Sequence, residues 1–177
     1  VEGIAGRDYF HVLPALVPSD NQWATTGRTK RPPTDPTNCL LSFLYGMLRV
    51  AVHGALEQVG LDPYIGYLHT VRSGKPALAL DLMEEMRTPI VDSVVLTVIN
   101  KQILQAKHFE EQLGAYQLTV AGRKLFLQQF EARLNTEIQH PIFGYKATYR
   151  RCLELQARIL AKFLLGEIPA YQPFQVR

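Results

Sequence analysis

The sequence is poor in cysteine. Cys39 and Cys152 are the only two in 177 residues. They form no Cys-x-x-Cys pair, so neither a disulfide framework nor a zinc finger is encoded. Reduced thiols fit a cytoplasmic compartment. No apolar run reaches the roughly 18 residues that span a bilayer. The best stretch, Val94 to Ile99, is far too short, and no membrane partner is expected. There is no P-loop and no Gly-x-Gly-x-x-Gly, the motifs whose backbone amides cradle phosphates. Ser42 and Ser93 lack the Gly-x-Ser-x-Gly elbow that would arm a nucleophile. The chain opens on Val1 with neither a basic nor an apolar leader. That is not a signal peptide, and it reads as a fragment whose upstream part is missing. No repeat or low-complexity segment is visible.

What is present is the composition of a folded protein. Hydrophobic residues make up 47% and charged residues 20%, which excludes wholesale disorder. The length suits about one domain. The net charge of +3 conceals an asymmetry: residues 1–120 carry ten Lys/Arg against twelve Asp/Glu, and residues 121–177 carry nine against four. A basic C-terminal third suits a polyanion partner, although many such faces are merely solvated.

The periodicity predicts an all-α fold, a bundle of about six or seven helices forming one domain over 1–177. Glu2 to Leu13 is predicted helical. Residues 18–37 are a Pro-rich basic loop holding Pro18, Pro32, Pro33 and Pro36. Thr37 or Asn38 then caps a long helix with Leu40, Leu41, Leu44, Leu48, Val52 and Leu56 on one side, closed by Gly60. Asp62-Pro63 predicts a short helical turn through Leu68, and Thr88-Pro89 predicts a helix to about Lys101. Thr119 caps a helix to about Gln139. Lys146 to Leu165 forms the last helix, and residues 166–177 are a surface tail. His108 and His140 read as surface residues, and the two cysteines as small buried hydrophobes.

Asp81, Glu84 and Glu85 crowd three acids onto one short helix. Their repulsion calls for a positive partner, either Arg87 or a metal ion. His69 lies on the loop just before. An imidazole with carboxylates makes an oxygen-rich divalent site of the Mn²⁺ or Mg²⁺ type. An exposed acidic helix face beside a loop histidine gives the same pattern. Arg28, Lys30 and Arg31 sit in the Pro-rich loop, either as phosphate contacts before a helix N-terminus or as a rigid polar connector. Arg123 and Lys124 open one helix. Lys146, Arg150, Arg151, Arg158 and Lys162 run along the last, interleaved with Tyr145 and Tyr149, as a nucleic-acid surface favours. A solvated cationic face is the plainer alternative.

Four motifs then occur in order: Glu-Gly-x-Ala-Gly-x-x-Tyr-Phe from Glu2, Arg-Pro-Pro-x-Asp-Pro-x-Asn-x-Leu-Leu-Ser-Phe-x-Tyr from Arg31, Gly-Leu-Asp-Pro-x-x-Gly-Tyr-Leu-His ending at His69, and Leu-Ala-Leu-Asp-Leu-Met-Glu-Glu-x-Arg ending at Arg87. Together they resemble the CRISPR-associated spacer integrase, the larger adaptation protein, from Glu2 to Phe174. The resemblance implies the helical catalytic domain of that family, without its N-terminal β-rich domain. It implies a divalent-metal-dependent DNA endonuclease/integrase, with one Mn²⁺ or Mg²⁺ held by Glu2, His69 and Glu84. Asp81, one turn earlier, is the competing acid and lines the same site. A DNA 3′-hydroxyl would attack a phosphodiester to insert a new spacer. Arg28, Lys30, Arg31, Arg123, Lys124, Arg150 and Arg158 would hold the DNA backbone. Implied partners are double-stranded DNA (prespacer and CRISPR repeat), a second copy in a homodimer, the smaller adaptation protein and, in some relatives, a fused or associated reverse transcriptase. The alternative is an isolated DNA- or partner-binding module without activity of its own.

Overall fold

The protein is described from a computed structural model. It covers residues 2–18 and 23–175, without the side chains of residues 2, 3 and 5. Glu2, the first proposed ligand, therefore has a side chain outside the described residues.

The described residues form six α-helices: α1 Glu2–Val12, α2 Pro36–Gln58, α3 Ala77–Met83, α4 Ser93–Asn100, α5 Val120–Leu134 and α6 Tyr149–Leu164. The all-α prediction holds, with two short antiparallel hairpins that the periodicity did not reveal. Strand β1, Phe109–Gln112, pairs with β2, Ala115–Leu118, and β3, Glu137–Gln139, pairs with β4, Lys146–Thr148. The chain divides into two compact units, Val1–Leu44 with Asp92–Glu131, and Tyr45–Val91 with Ala132–Arg177.

Helix α2 starts one signal earlier than predicted. Asp35 is the cap: its Oδ1 accepts the Asn38 N–H at 2.7 Å, and Pro36 takes the first helical position, where a missing N–H costs nothing. Leu40, Leu41, Leu44, Leu48, Val52 and Leu56 are all fully buried. At roughly 1.5–3 kcal/mol each, they outweigh a cap of about 1 kcal/mol. The core decides that the helix exists; the cap decides only where it begins. This helix also corrects the expectation about apolar runs. Its mean hydropathy of 1.5 over 18 residues is enough for a membrane span by length and composition, yet its leucine side lies in the protein core.

Other boundaries move for identifiable reasons. Asp62 does not start a helix. Its Oδ1 accepts the Tyr64 N–H at 2.9 Å, closing a local turn instead. Thr88 is not a cap either. A tight 3₁₀ turn, Glu84–Met86, and a wide π turn, Arg87–Asp92, link α3 to α4. Pro89 lacks the N–H and crowds the carbonyl four residues back, so a regular helix cannot pass through it. Its own carbonyl accepts two N–H groups of Arg133, at 2.6 and 2.8 Å.

Helix α5 ends at Leu134 rather than Gln139, and the predicted last helix begins at Tyr149, because residues 137–139 and 146–148 pair as β3 and β4. Thr148 caps α6, accepting the Arg151 N–H at 3.2 Å. Strands of three residues are too short to show alternation. In the β1–β2 hairpin, Leu113 and Gly114 both have positive φ, 51° and 75°, as a two-residue turn of matching twist demands.

Candidate active site

The loop after Pro63 and helix α3 hold each other. The Pro63 carbonyl accepts the Leu78 and Ala79 N–H groups at 2.9 and 3.2 Å, satisfying two donors at the start of α3. In return, Asp81 gathers the loop. Its Oδ2 accepts the N–H groups of Tyr67 at 2.6 Å and Leu68 at 3.0 Å, and its Oδ1 accepts that of His69 at 2.8 Å. Gly66 makes this approach possible. A Cβ there would come within 2.6 Å of Ala77 Cβ and 2.9 Å of Asp81 Oδ2, so any side chain would lift the loop away.

The fourth contact to Asp81 is chemical. His69 Nδ1 lies 2.7 Å from Asp81 Oδ1. Burial alone would raise the Asp81 pKa. The amides of Leu68 and Tyr67, with the His69 ring and amide, outweigh it and hold the carboxyl below its ordinary range. Asp81 is therefore ionised at neutral pH and can only accept, so Nδ1 is the donor. That fixes the tautomer and leaves the lone pair of the neutral ring on Nε2. A carboxylate behind a histidine in this way is the usual support of a metal-binding imidazole.

The three crowded acids thus take separate partners. Asp81 faces the loop. Glu84 Oε2 accepts from Arg87 Nη1 at 2.5 Å, and the Arg87 guanidinium also lies 4.7 Å from the Tyr45 ring centroid. Burial works against the Arg87 charge, but Tyr45 and Glu84 more than offset it and raise its pKa. Glu85 accepts three donors: Tyr171 Oη at 2.6 Å, the Phe174 N–H at 2.7 Å and Gln156 Nε2 at 3.0 Å. The sequence reading grouped Glu85 with Asp81. Tyr171, Gln156 and Phe174 lie far along the chain and gave no local signal.

Among the described residues, no three His, Cys, Asp or Glu side chains gather closely enough to hold a metal ion. Two of the predicted donors are described, and both have the right chemistry. His69 offers Nε2, and Glu84 keeps Oε1 beside its ion pair. Asp81 is already filled with donors.

The predicted DNA contacts fall into different situations. Arg28 is built into its loop: Nη1 donates to Asn38 Oδ1 at 2.8 Å and Nη2 to Ser42 Oγ at 3.0 Å, and the guanidinium lies 5.8 Å from the Phe10 ring centroid. Lys30 and Arg31 are exposed on that loop, and Arg123 and Lys124 are exposed on α5. Arg123 also donates to the Leu118 carbonyl at 3.3 Å. In the other unit, Arg150 is exposed, and Arg158 pairs with Glu154 at 2.8 Å. Tyr149 is no surface aromatic; it is buried beneath Arg133 at 4.6 Å. His108 and His140 are buried rather than on the surface. Burial lowers the His140 pKa and pushes Cys39 and Cys152 up to about 11, so neither thiol is a ready nucleophile.

Comparison with known proteins adds the family. Residues 1–132 match the family model described as CRISPR associated protein Cas1. A curated relative, CRISPR-associated endonuclease Cas1 3 of Thermus thermophilus, is 47% identical over 176 residues, covering 99% of this chain and 52% of the relative. Among solved structures, a casposase bound to integration product superposes with a TM-score of 0.88 at 26% identity, covering 97% of this chain and 48% of that one. A partial Cas6-RT-Cas1–Cas2 complex gives 0.81 at 27% identity, covering 99% of this chain and 51% of that one. The chain therefore spans about half the length of these proteins.

Proposed function

This chain belongs to the Cas1 family, and from that premise we propose that it is the helical catalytic part of a divalent-metal-dependent DNA endonuclease/integrase that inserts spacers into a CRISPR array in the cytoplasm. The observation that carries the reading is the Asp81–His69 pair, which ties Nδ1 to a carboxylate and leaves Nε2 as the nitrogen that can serve as a ligand. His69 Nε2 and Glu84 are the proposed ligands in the described residues, and Glu2 is the third by its Glu-Gly-x-Ala context. Mn²⁺ or Mg²⁺ bound there would supply a Lewis acid for the charge that develops on a phosphodiester under attack.

The residues of the chain do the rest. Asp81 keeps His69 in one tautomer and one orientation, so no reorganisation is needed when substrate arrives. Arg87 holds one oxygen of Glu84 and screens it from its acidic neighbours. A DNA 3′-hydroxyl would attack the repeat phosphodiester, displacing the strand on its far side; water in its place gives nuclease activity. Lys30, Arg31, Arg123, Lys124 and Arg150 are proposed phosphate contacts. Each one engaged should steepen the salt dependence of binding by about 0.9 in log–log slope. Arg28 serves the loop that carries two of them. The solved relatives support a partner set of double-stranded DNA, the smaller adaptation protein and a reverse transcriptase, and the family resemblance adds a homodimer.

The test is strand transfer on a half-site substrate by the full natural polypeptide. His69→Ala and Glu84→Ala should each abolish Mn²⁺-dependent product while leaving DNA binding in place. Unchanged metal-dependent transfer in both variants would overturn the proposal.

A further inference from the structure

The C-terminal tail reaches the acid segment. Tyr171 and Phe174 follow the Gly166 turn that ends α6, and they meet a carboxylate 86 and 89 residues earlier in the chain. Tyr171 Oη donates to Glu85 Oε1 at 2.6 Å, and the Phe174 backbone N–H donates to Glu85 Oε2 at 2.7 Å. From the middle of α6, Gln156 Nε2 lies 3.0 Å from both Glu85 Oε2 and Tyr171 Oη, and 3.2 Å from the Gln172 carbonyl. Gln156 is fully buried and the Phe174 ring is almost so. The Phe174 ring packs edge-on against His140 at 5.7 Å, which seats the end of the tail. Burial, then the neighbouring Glu85 charge, push the Tyr171 pKa well above its usual range, so the phenol keeps its proton as donor.

Glu85 is bonded in sequence to Glu84, and both lie in the 3₁₀ turn Glu84–Met86, just ahead of the proline-widened turn. A short 3₁₀ turn wedged between an α-helix and a π turn has weak intrinsic preference for its own geometry. Three donors fixed by a distant segment supply what the turn lacks. We infer that the tail residues Tyr171 and Phe174, acting through Glu85, are positioning residues that hold Glu84 in its ligand geometry, so the C-terminal tail is part of the metal site's machinery. The inference rests on Glu84 being a ligand, as proposed above. It explains why a second glutamate stands beside the first: one would hold the ion and the other anchors the turn.

Mn²⁺ affinity, measured from the free-ion electron paramagnetic resonance signal, tests it without reliance on activity. The proteins are the full natural polypeptide and its Tyr171→Phe, Glu85→Gln, His69→Ala and Ile159→Val variants. Ile159→Val trims a buried residue of α6 outside this network, and controls for lost stability alone. Tyr171→Phe and Glu85→Gln should weaken Mn²⁺ binding about threefold to tenfold. That is less than the roughly 10- to 100-fold typical for groups bonded directly to a ligand. Ile159→Val should lower the melting temperature and leave affinity unchanged. If Tyr171→Phe and Glu85→Gln bind Mn²⁺ as the parent does while His69→Ala does not, the tail is merely structural and this inference fails alone. If the parent binds no Mn²⁺, or His69→Ala binds it equally well, the metal-site reading fails and takes this one with it.

Discussion

Two loops of this protein are each laid against the first turns of a helix and gathered by one side chain, and the two side chains differ in kind. The Pro-rich loop ahead of α2 is gathered by Asn38. Its Oδ1 accepts from Arg28 at 2.8 Å and from the Thr29 N–H at 3.1 Å, and its Nδ2 lies 2.6 Å from Asp35 Oδ2 and 2.7 Å from the Gly27 carbonyl. The loop ahead of α3 is gathered by Asp81, which accepts at all four of its contacts. An amide both gives and takes, so Asn38 can satisfy a mixed set of loop groups and remain neutral. A carboxylate only takes, so Asp81 must draw N–H groups alone, and it brings a charge with it. That charge is what sets the tautomer of His69. The neutral hub builds a loop; the charged hub builds a loop and orients a histidine.

Removing either hub should break this contrast most visibly. Asn38→Ala takes a partner from several half-buried groups at once and should cost about 4 kcal/mol, seen as a large drop in the urea midpoint. Asp81→Asn should cost less stability, about 2 kcal/mol, because the amide oxygen still accepts from the Tyr67 and Leu68 N–H groups and only the His69 side loses its acceptor. It should weaken Mn²⁺ binding roughly 10- to 100-fold, an effect that Asn38 variants that still fold should not share. Equal effects of the two hubs on Mn²⁺ affinity would erase the distinction.

Gly66→Ala comes next. Its Cβ would overlap Ala77, and a loss of about 1–3 kcal/mol is expected, with the histidine displaced along with the loop.

Acid sharpens the comparison. The folded pKa of Asp81 lies below its unfolded value of about 3.9. Its contribution is thus complete above that value and declines as pH falls through the lower, folded one. The gap in melting temperature between parent and Asp81→Asn should stay constant near neutral pH and narrow below about pH 4. The smallest effect belongs to the exposed ion pair of Arg158 with Glu154: Arg158→Ala should change stability by less than about 1 kcal/mol.

The parts of the fold legible in the sequence were those written in long periods. Helix α2 announced itself through five leucines and a valine on one side, and Gly60 marked a real turn with positive φ. The hairpins were not legible, because pairing between residues 137–139 and 146–148 is a long-range fact carried by strands too short to alternate. Cap signals failed where a competing use of the same residues won. Asp62 turned on itself, and Thr88-Pro89 widened a helix instead of opening one. His69 and Glu84 were named as ligands and Asp81 as the competing acid from spacing and resemblance, but which acid takes which partner was not legible. Only the direction of each carboxylate separates a group that steadies a histidine, one that pairs with arginine and one that anchors the tail.

The close passage of Gly66 over α3 divides its loop into a side that cannot vary and a side that can. Position 66 admits no side chain, and position 81 admits no other chemistry. Tyr67 and Leu68 give their backbone N–H groups to Asp81 while their side chains stand 65% and 72% exposed. Substitution there leaves the backbone bonds in place. In a saturation scan, residues 66, 69 and 81 should tolerate almost nothing, and residues 67 and 68 almost anything that keeps an amide hydrogen. Proline is the one residue they should refuse. The outer surface of the loop is thus open to change while the histidine behind it stays where it is.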